Sequence, residues 1–154
     1  MKAIFFALAL LGTTLSVSAQ ADSLSFWTTD FAVAQDSAEA AQKNIVLVFQ
    51  GSDWCAPCIK LDKEVWSMPE FAELATAEFV FVKADFPRRR ANRLSDEQQA
   101  ANAALAERYN TIGSFPLVVV INPAGDVLGQ MGYEKIGPTA YYEKLKSLAT
   151  WEQK

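Results

Sequence analysis

The chain has 154 residues, 51% of them hydrophobic and 21% charged, which is the composition of one globular domain and excludes a disordered or fibrous protein. Its 14 basic and 18 acidic side chains leave a net charge of −4, with no basic excess to offer a nucleic acid. Histidine is absent, which excludes Ser-His-Asp and Cys-His catalysis, c-type haem attachment and every His-containing metal site. Two cysteines are too few for a four-thiolate zinc or iron–sulfur site.

Met1 and Lys2 make a short positive start, Ala3 to Leu11 is an apolar run, and the small residues Ser16 to Ala21 follow. This three-part pattern predicts a signal peptide over 1–21, cleaved after Ala19 or Ala21. The run falls well short of the ~20 residues that span a bilayer. Export is therefore expected, to a periplasm or to the medium, with residues 22–154 as a single domain. A chain of that length buries a core without disulfide support.

Asp30 is an N-cap candidate for a helix with Phe31, Ala34, Ala38 and Ala41 on one face. Ile45 to Phe49 is a continuous apolar run rich in β-branched residues, expected as a strand buried on both faces. Gly51-Ser52-Asp53 breaks it. The next helix is expected to begin near Cys55, to accommodate Pro57 in its first turn, and to run through Leu61 and Val65 to about Trp66. Ser67-Met68-Pro69-Glu70 has capping-box spacing, and Phe79 to Val82 predicts a second buried strand. Phe86 to Leu94, with Pro87, Arg88, Arg89, Arg90 and Arg93, reads as a solvated surface loop, with a site for an anionic partner as the alternative reading. A second capping box, Ser95 with Gln98, precedes a helix expected to turn Ala101, Ala104, Leu105 and Tyr109 inward. Leu117 to Ile121 is a third buried strand, the turn Asn122 to Asp126 returns the chain antiparallel from Val127, and Pro138 opens a last helix with Tyr141, Leu145 and Leu148 inward. Trp27, Trp66 and Trp151 are read as packing residues. This α-β-α-β-α-β-β-α order implies an α/β fold, with a mixed sheet covered on both faces by helices.

Both cysteines lie in Cys55-Ala56-Pro57-Cys58, a loop too short to constrain the unfolded chain much, so the pair invites a chemical explanation. At a strand-to-helix junction Cys55 meets unpaired backbone N–H groups and the positive end of the helix dipole, which favour a thiolate. Its pKa is expected below the free value of about 8.5, making it the exposed attacking sulfur. Cys58, in line with Leu61 and Val65, is expected to point toward the core and to resolve a mixed disulfide. Pro57 stiffens the intervening turn, and Trp54 is read as part of a surface where a partner docks. An inert disulfide, or two thiolates holding a soft Cu(I) ion, are the alternative readings of the pair.

Asp53-Trp54-Cys55-Ala56-Pro57-Cys58 after an apolar strand, Phe115-Pro116 before the next one, and Gly125-Asp126 in the hairpin turn together resemble the thioredoxin superfamily. The longer string from Gly51 to Val65, with Asp85-Phe86-Pro87, is similar to exported bacterial thioredoxin-like proteins. The resemblance spans about residues 25–150. It implies a three-layer α/β/α sandwich, a cis Pro116 lying against the active disulfide, and a Phe115 backbone that pairs with an extended substrate segment. Ala56 and Pro57 then occupy the positions that tune the redox pair, where the family favours Gly-Pro. Phe49 stands where classical members carry a buried aspartate that assists the second cysteine. Asp53, Lys60 and Glu64 are the candidate replacements.

The expected function is a thiol–disulfide oxidoreductase that needs no bound cofactor or metal. Its substrates would be protein thiols and disulfides, with the reductase or isomerase direction favoured. A reducing role outside the cytosol would draw electrons from a membrane-embedded thiol donor. No oligomer is required, so a monomer is expected. The competing expectation is a redox-inactive adaptor that holds a protein partner on the Trp54/Phe115 surface.

Overall fold

The computed structural model describes residues 26–150, so the signal peptide expected over 1–21 and Trp151 lie outside the described residues. Five strands form one sheet: β1 (Trp27–Thr28), β2 (Asn44–Gln50), β3 (Phe79–Asp85), β4 (Leu117–Ile121) and β5 (Val127–Met131). Their spatial order is β1-β3-β2-β4-β5. β3 runs parallel to both β1 and β2, whereas β4 is antiparallel to β2 and to β5. The helices are α1 (Phe31–Ala41), α2 (Ala56–Leu61), α3 (Pro69–Glu78), α4 (Asp96–Tyr109) and α5 (Pro138–Ala149).

Alternation along the buried strands divides the core in two. Val46 and Val48 of β2, with Val118 and Val120 of β4, face Leu61 and Phe71 and the α5 residues Tyr141 and Leu145. Ile45, Leu47 and Phe49 face the other way, toward Ala34 and Ala38 of α1 and Tyr109 of α4. Helices therefore cover both faces, and for that reason β2 and β4 are apolar at every position from Ile45 to Phe49 and from Leu117 to Ile121. Trp66 lies in the first core edge-on to Trp27, Phe71 and Tyr141.

Several local expectations hold. The Asp30 carboxylate accepts from the Ala32 and Val33 N–H groups at 2.9 and 3.1 Å, and Pro138 is the first residue of α5. Tyr141 and Leu145 are buried, with Leu148 half-buried beside them. Asn122 brackets its turn, where Gly125 has a φ of 92° that favours glycine.

Others need correction. The helix after Cys55 changes at Asp62 into a π-helical turn, Asp62–Trp66, which carries Val65 and Trp66 into the core beside Leu61 of α2. The first capping box does not form: Met68 is the N-cap of α3 and makes no side-chain bond there, while Ser67 Oγ reaches back to Asp62 at 3.4 Å. In the second, Ser95 caps the Gln98 N–H at 3.2 Å, but the Gln98 side chain turns away to the Thr29 carbonyl and to Asn102. α4 meets the expected face only in part: Tyr109 is buried and Leu105 packs half-buried against the same core. Asn102 is buried and donates to the Asp85 carbonyl at 2.8 Å, whereas Ala101 and Ala104 are exposed along an open groove against α1. Ala41, in the last turn of α1, is exposed as well.

Candidate active site

Cys55 and Cys58 form a disulfide with an S–S distance of 2.07 Å and Cα atoms 5.2 Å apart. Cys55 is the N-cap of α2, and its Sγ accepts from the Cys58 N–H at 3.2 Å. The local chain explains this placement. Gln50 ends β2, the Cys55 N–H closes a turn onto the Gly51 carbonyl at 2.9 Å, and Pro57 lies in the first turn of α2, where a missing N–H costs nothing. Cys58 is 2% exposed, as expected of a core-facing residue. Cys55 is not the exposed residue expected from the sequence: at the N-cap of α2 it is 4% exposed. Ala56 and Pro57 are exposed beside it.

Trp54 does not stand out into solvent. It is half-buried and folds back over Gly51, where an added Cβ would lie 2.3 Å from the indole. Its Nε1–H donates to the Phe86 carbonyl at 2.7 Å, its ring meets Phe115 at 5.4 Å between centroids, and the Arg88 guanidinium covers it at 3.7 Å. Phe115 also packs edge-on against Phe86. The Phe115-Pro116 peptide is cis, and Pro116 is buried. Buried Asn110 shapes the turn leading into it: its amide donates to the Ser114 carbonyl and its oxygen accepts the Ser114 N–H, both at 2.9 Å.

The arginine loop is not merely solvated, as the sequence reading had it. Asp53 captures its backbone, accepting from the Arg88 and Arg89 N–H groups at 2.9 Å each and from the Asn92 amide at 3.0 Å. These bonds, the Arg88 N–H foremost, hold the Asp53 carboxyl below its ordinary 3.8 against the opposing effect of desolvation. Ser52 ties the same turn to β3 through the Asp85 carboxylate, at 2.9 Å from its N–H and 2.6 Å from its hydroxyl. The loop and the Cys-x-x-Cys turn thus form one braced rim. Neither Asn110 nor the bracing role of Asp53 was read from the sequence; polar residues flanking the motif were the only signal.

Phe49 is fully buried and stacks at 6.5 Å on Phe86, so the position of the familiar aspartate belongs to the apolar core. Of the candidate replacements, Asp53 is engaged with the loop, and Glu64 accepts from the Tyr133 hydroxyl at 2.7 Å. Lys60 is exposed on α2. An ion pair that the sequence did not announce, Lys83 to Asp62 at 3.8 Å, lies one turn beyond Cys58. Among the described residues, no cluster of acidic or thiol ligands could hold a metal ion.

A mixed sheet between two helical layers, with a Cys-x-x-Cys disulfide at a strand-to-helix junction, is the architecture of a thiol–disulfide oxidoreductase. A family model described as thioredoxin-like matches residues 26–123, and the chain belongs to that family. It is 37% identical over 117 residues to the disulfide bond reductase DsbH of Chlamydia pneumoniae, covering 76% of this chain and 69% of the relative. The thioredoxin-related protein DsbJ of the same organism is 31% identical over 71% of this chain, which spans only 31% of that longer protein. A solved DsbH oxidoreductase superposes with a TM-score of 0.74 at 34% identity, covering 82% of this chain and 85% of the other.

Proposed function

We propose that this thiol–disulfide oxidoreductase works outside the cytosol as a reductant of protein disulfides, with Cys55 attacking and Cys58 resolving. One observation carries the reading. The pair closes as a disulfide at the N-terminus of α2, with a backbone N–H directed at the Cys55 sulfur and the Trp54–Phe115 contact beside it. The reductive direction is supported by the likeness to the Chlamydia pneumoniae reductase, and export by the N-terminal pattern of residues 1–21.

The Cys55 thiolate attacks one sulfur of the substrate disulfide. An S–S bond forms between enzyme and substrate, and the other substrate sulfur leaves as a thiolate. Cys58, deprotonated, then attacks the Cys55 sulfur and expels the second substrate thiolate. Two electrons and, after protonation of the leaving thiolates, two protons pass from the enzyme dithiol to the substrate. Return to the dithiol requires a thiol donor, for an exported protein one embedded in the membrane. Phe115 and Pro116 would present the backbone on which an extended substrate segment lies, with Trp54 forming the adjoining wall. Ala56 and Pro57 would set the redox balance by shaping the turn between the sulfurs. The protein is expected to act as a monomer.

Insulin reduction by dithiothreitol tests the reading. The wild type should accelerate it, Cys55→Ser should abolish the acceleration, and Cys58→Ser should accumulate a mixed disulfide through Cys55. Acceleration that survives Cys55→Ser would overturn Cys55 as the attacking sulfur, and a wild type that gives none would leave the redox-inactive adaptor. Equilibration with glutathione fixes the direction: a potential below about −200 mV is expected, and one near the ~−120 mV of strong oxidants would reverse it.

A further inference from the structure

We propose that the loop after β3 selects protein substrates that carry acidic residues beside the reactive cysteine, an inference that rests on the disulfide-exchange reading above. Four of the five arginines in this acidic chain, Arg88, Arg89, Arg90 and Arg93, lie within this one loop, and all four are exposed. Among the described residues Arg93 is paired with Asp96 at 2.9 Å, whereas Arg88, Arg89 and Arg90 have no carboxylate within ion-pair distance. The carboxylates nearby are already engaged. Asp53 accepts loop N–H groups, and Asp85 accepts from Ser52.

The loop is also fixed relative to the sulfurs. Asp53 and Trp54, the two residues before Cys55, both bind it, through three hydrogen bonds to the carboxylate and one from the indole to Phe86. The Arg88 guanidinium lies 3.7 Å over the Trp54 ring. Guanidinium groups match carboxylates better than ammonium groups do, since their planar forks bind both oxygens. An extended substrate segment advances about 3.3 Å per residue and the screening length is about 10 Å at 0.1 M salt, so each guanidinium acts on carboxylates over about three residues of a segment passing beside it. The loop would raise the encounter rate and fix the side from which the segment enters, without altering the exchange chemistry.

The test uses the reduced full domain and three disulfide-bonded peptides of equal length, whose cysteines are flanked by aspartates, asparagines or lysines. A small uncharged disulfide, bis(2-hydroxyethyl) disulfide, serves as reference. At low salt the acidic peptide should react about tenfold faster than the basic one, and the preference should fall below about twofold near 0.5 M salt. Replacing two free guanidinium groups together, Arg89→Gln with Arg90→Gln, keeps the Arg89 N–H that binds Asp53. That variant should lose most of the preference when rates are scaled to the reference disulfide. Equal rates for acidic and basic peptides at low salt, or a preference that persists in the double variant with native circular dichroism, would overturn the proposal. Failure to react with every peptide and with the reference would instead remove the exchange reading on which it stands.

Discussion

The most direct consequence of the braced rim concerns Gly51, which has room for a side chain only if Trp54 leaves. Its φ lies outside the left-handed region, so Gly51→Ala strains no backbone and acts by collision alone, with Cβ 2.3 Å from both Nε1 and Cε2 of the indole. Displacing the ring forfeits the 2.7 Å bond to the Phe86 carbonyl, the edge contact with Phe115 and the cover of Arg88. A net hydrogen bond, an aromatic pair and a part-exposed cation–π contact together contribute about 2–3 kcal/mol. With a urea slope of about 1–3 kcal/mol/M, the unfolding midpoint of the oxidised protein should fall by about 0.7–3 M. A double-mutant cycle isolates the cause. In a Trp54→Ala background the added methyl group meets no indole, and Gly51→Ala should then cost less than about 0.5 kcal/mol. An equal cost in both backgrounds, or a wild-type midpoint for Gly51→Ala alone, would refute the packing argument.

Two further outcomes follow from polar groups around the same rim. Asn102→Leu should cost about 1–3 kcal/mol in urea unfolding, because the half-buried Asp85 carbonyl loses its amide donor and the Gln98 amide keeps only the Thr29 carbonyl; unchanged stability would show that the Asp85 carbonyl had found another partner. The Asp53 carboxyl is held below its ordinary 3.8 in the folded protein, first by the Arg88 N–H, so its stabilisation is complete above that value and is lost as pH falls through the depressed one. Between about pH 4 and pH 2 the stability of Asp53→Asn should therefore depend less steeply on pH than that of the wild type. Parallel slopes in a pH series of urea melts would contradict this.

Much of the fold was legible in the chain because its signals are local. Apolar runs at 45–49 and 117–121 announce strands buried on both faces, and period-2 alternation has only one way to satisfy two helical layers. Asp30 and Pro138 mark helix starts by chemistry confined to a single turn. The Cys55–Cys58 pairing needs only a four-residue loop at a strand-to-helix junction, and its spacing states that directly.

Features requiring two distant segments to meet were decided by tertiary structure alone. The face of α4 follows from Asn102 reaching the Asp85 carbonyl on β3, a buried polar demand that outweighs the apolar stripe of Ala101 and Ala104. Trp54 folds inward because Gly51 leaves space and Phe86, 32 positions on, supplies an acceptor. The arginine run looks solvated in sequence, since side-chain charge dominates its composition. Its place is set by the backbone N–H groups of Arg88 and Arg89, which no residue identity advertises, meeting a carboxylate 35 and 36 positions away.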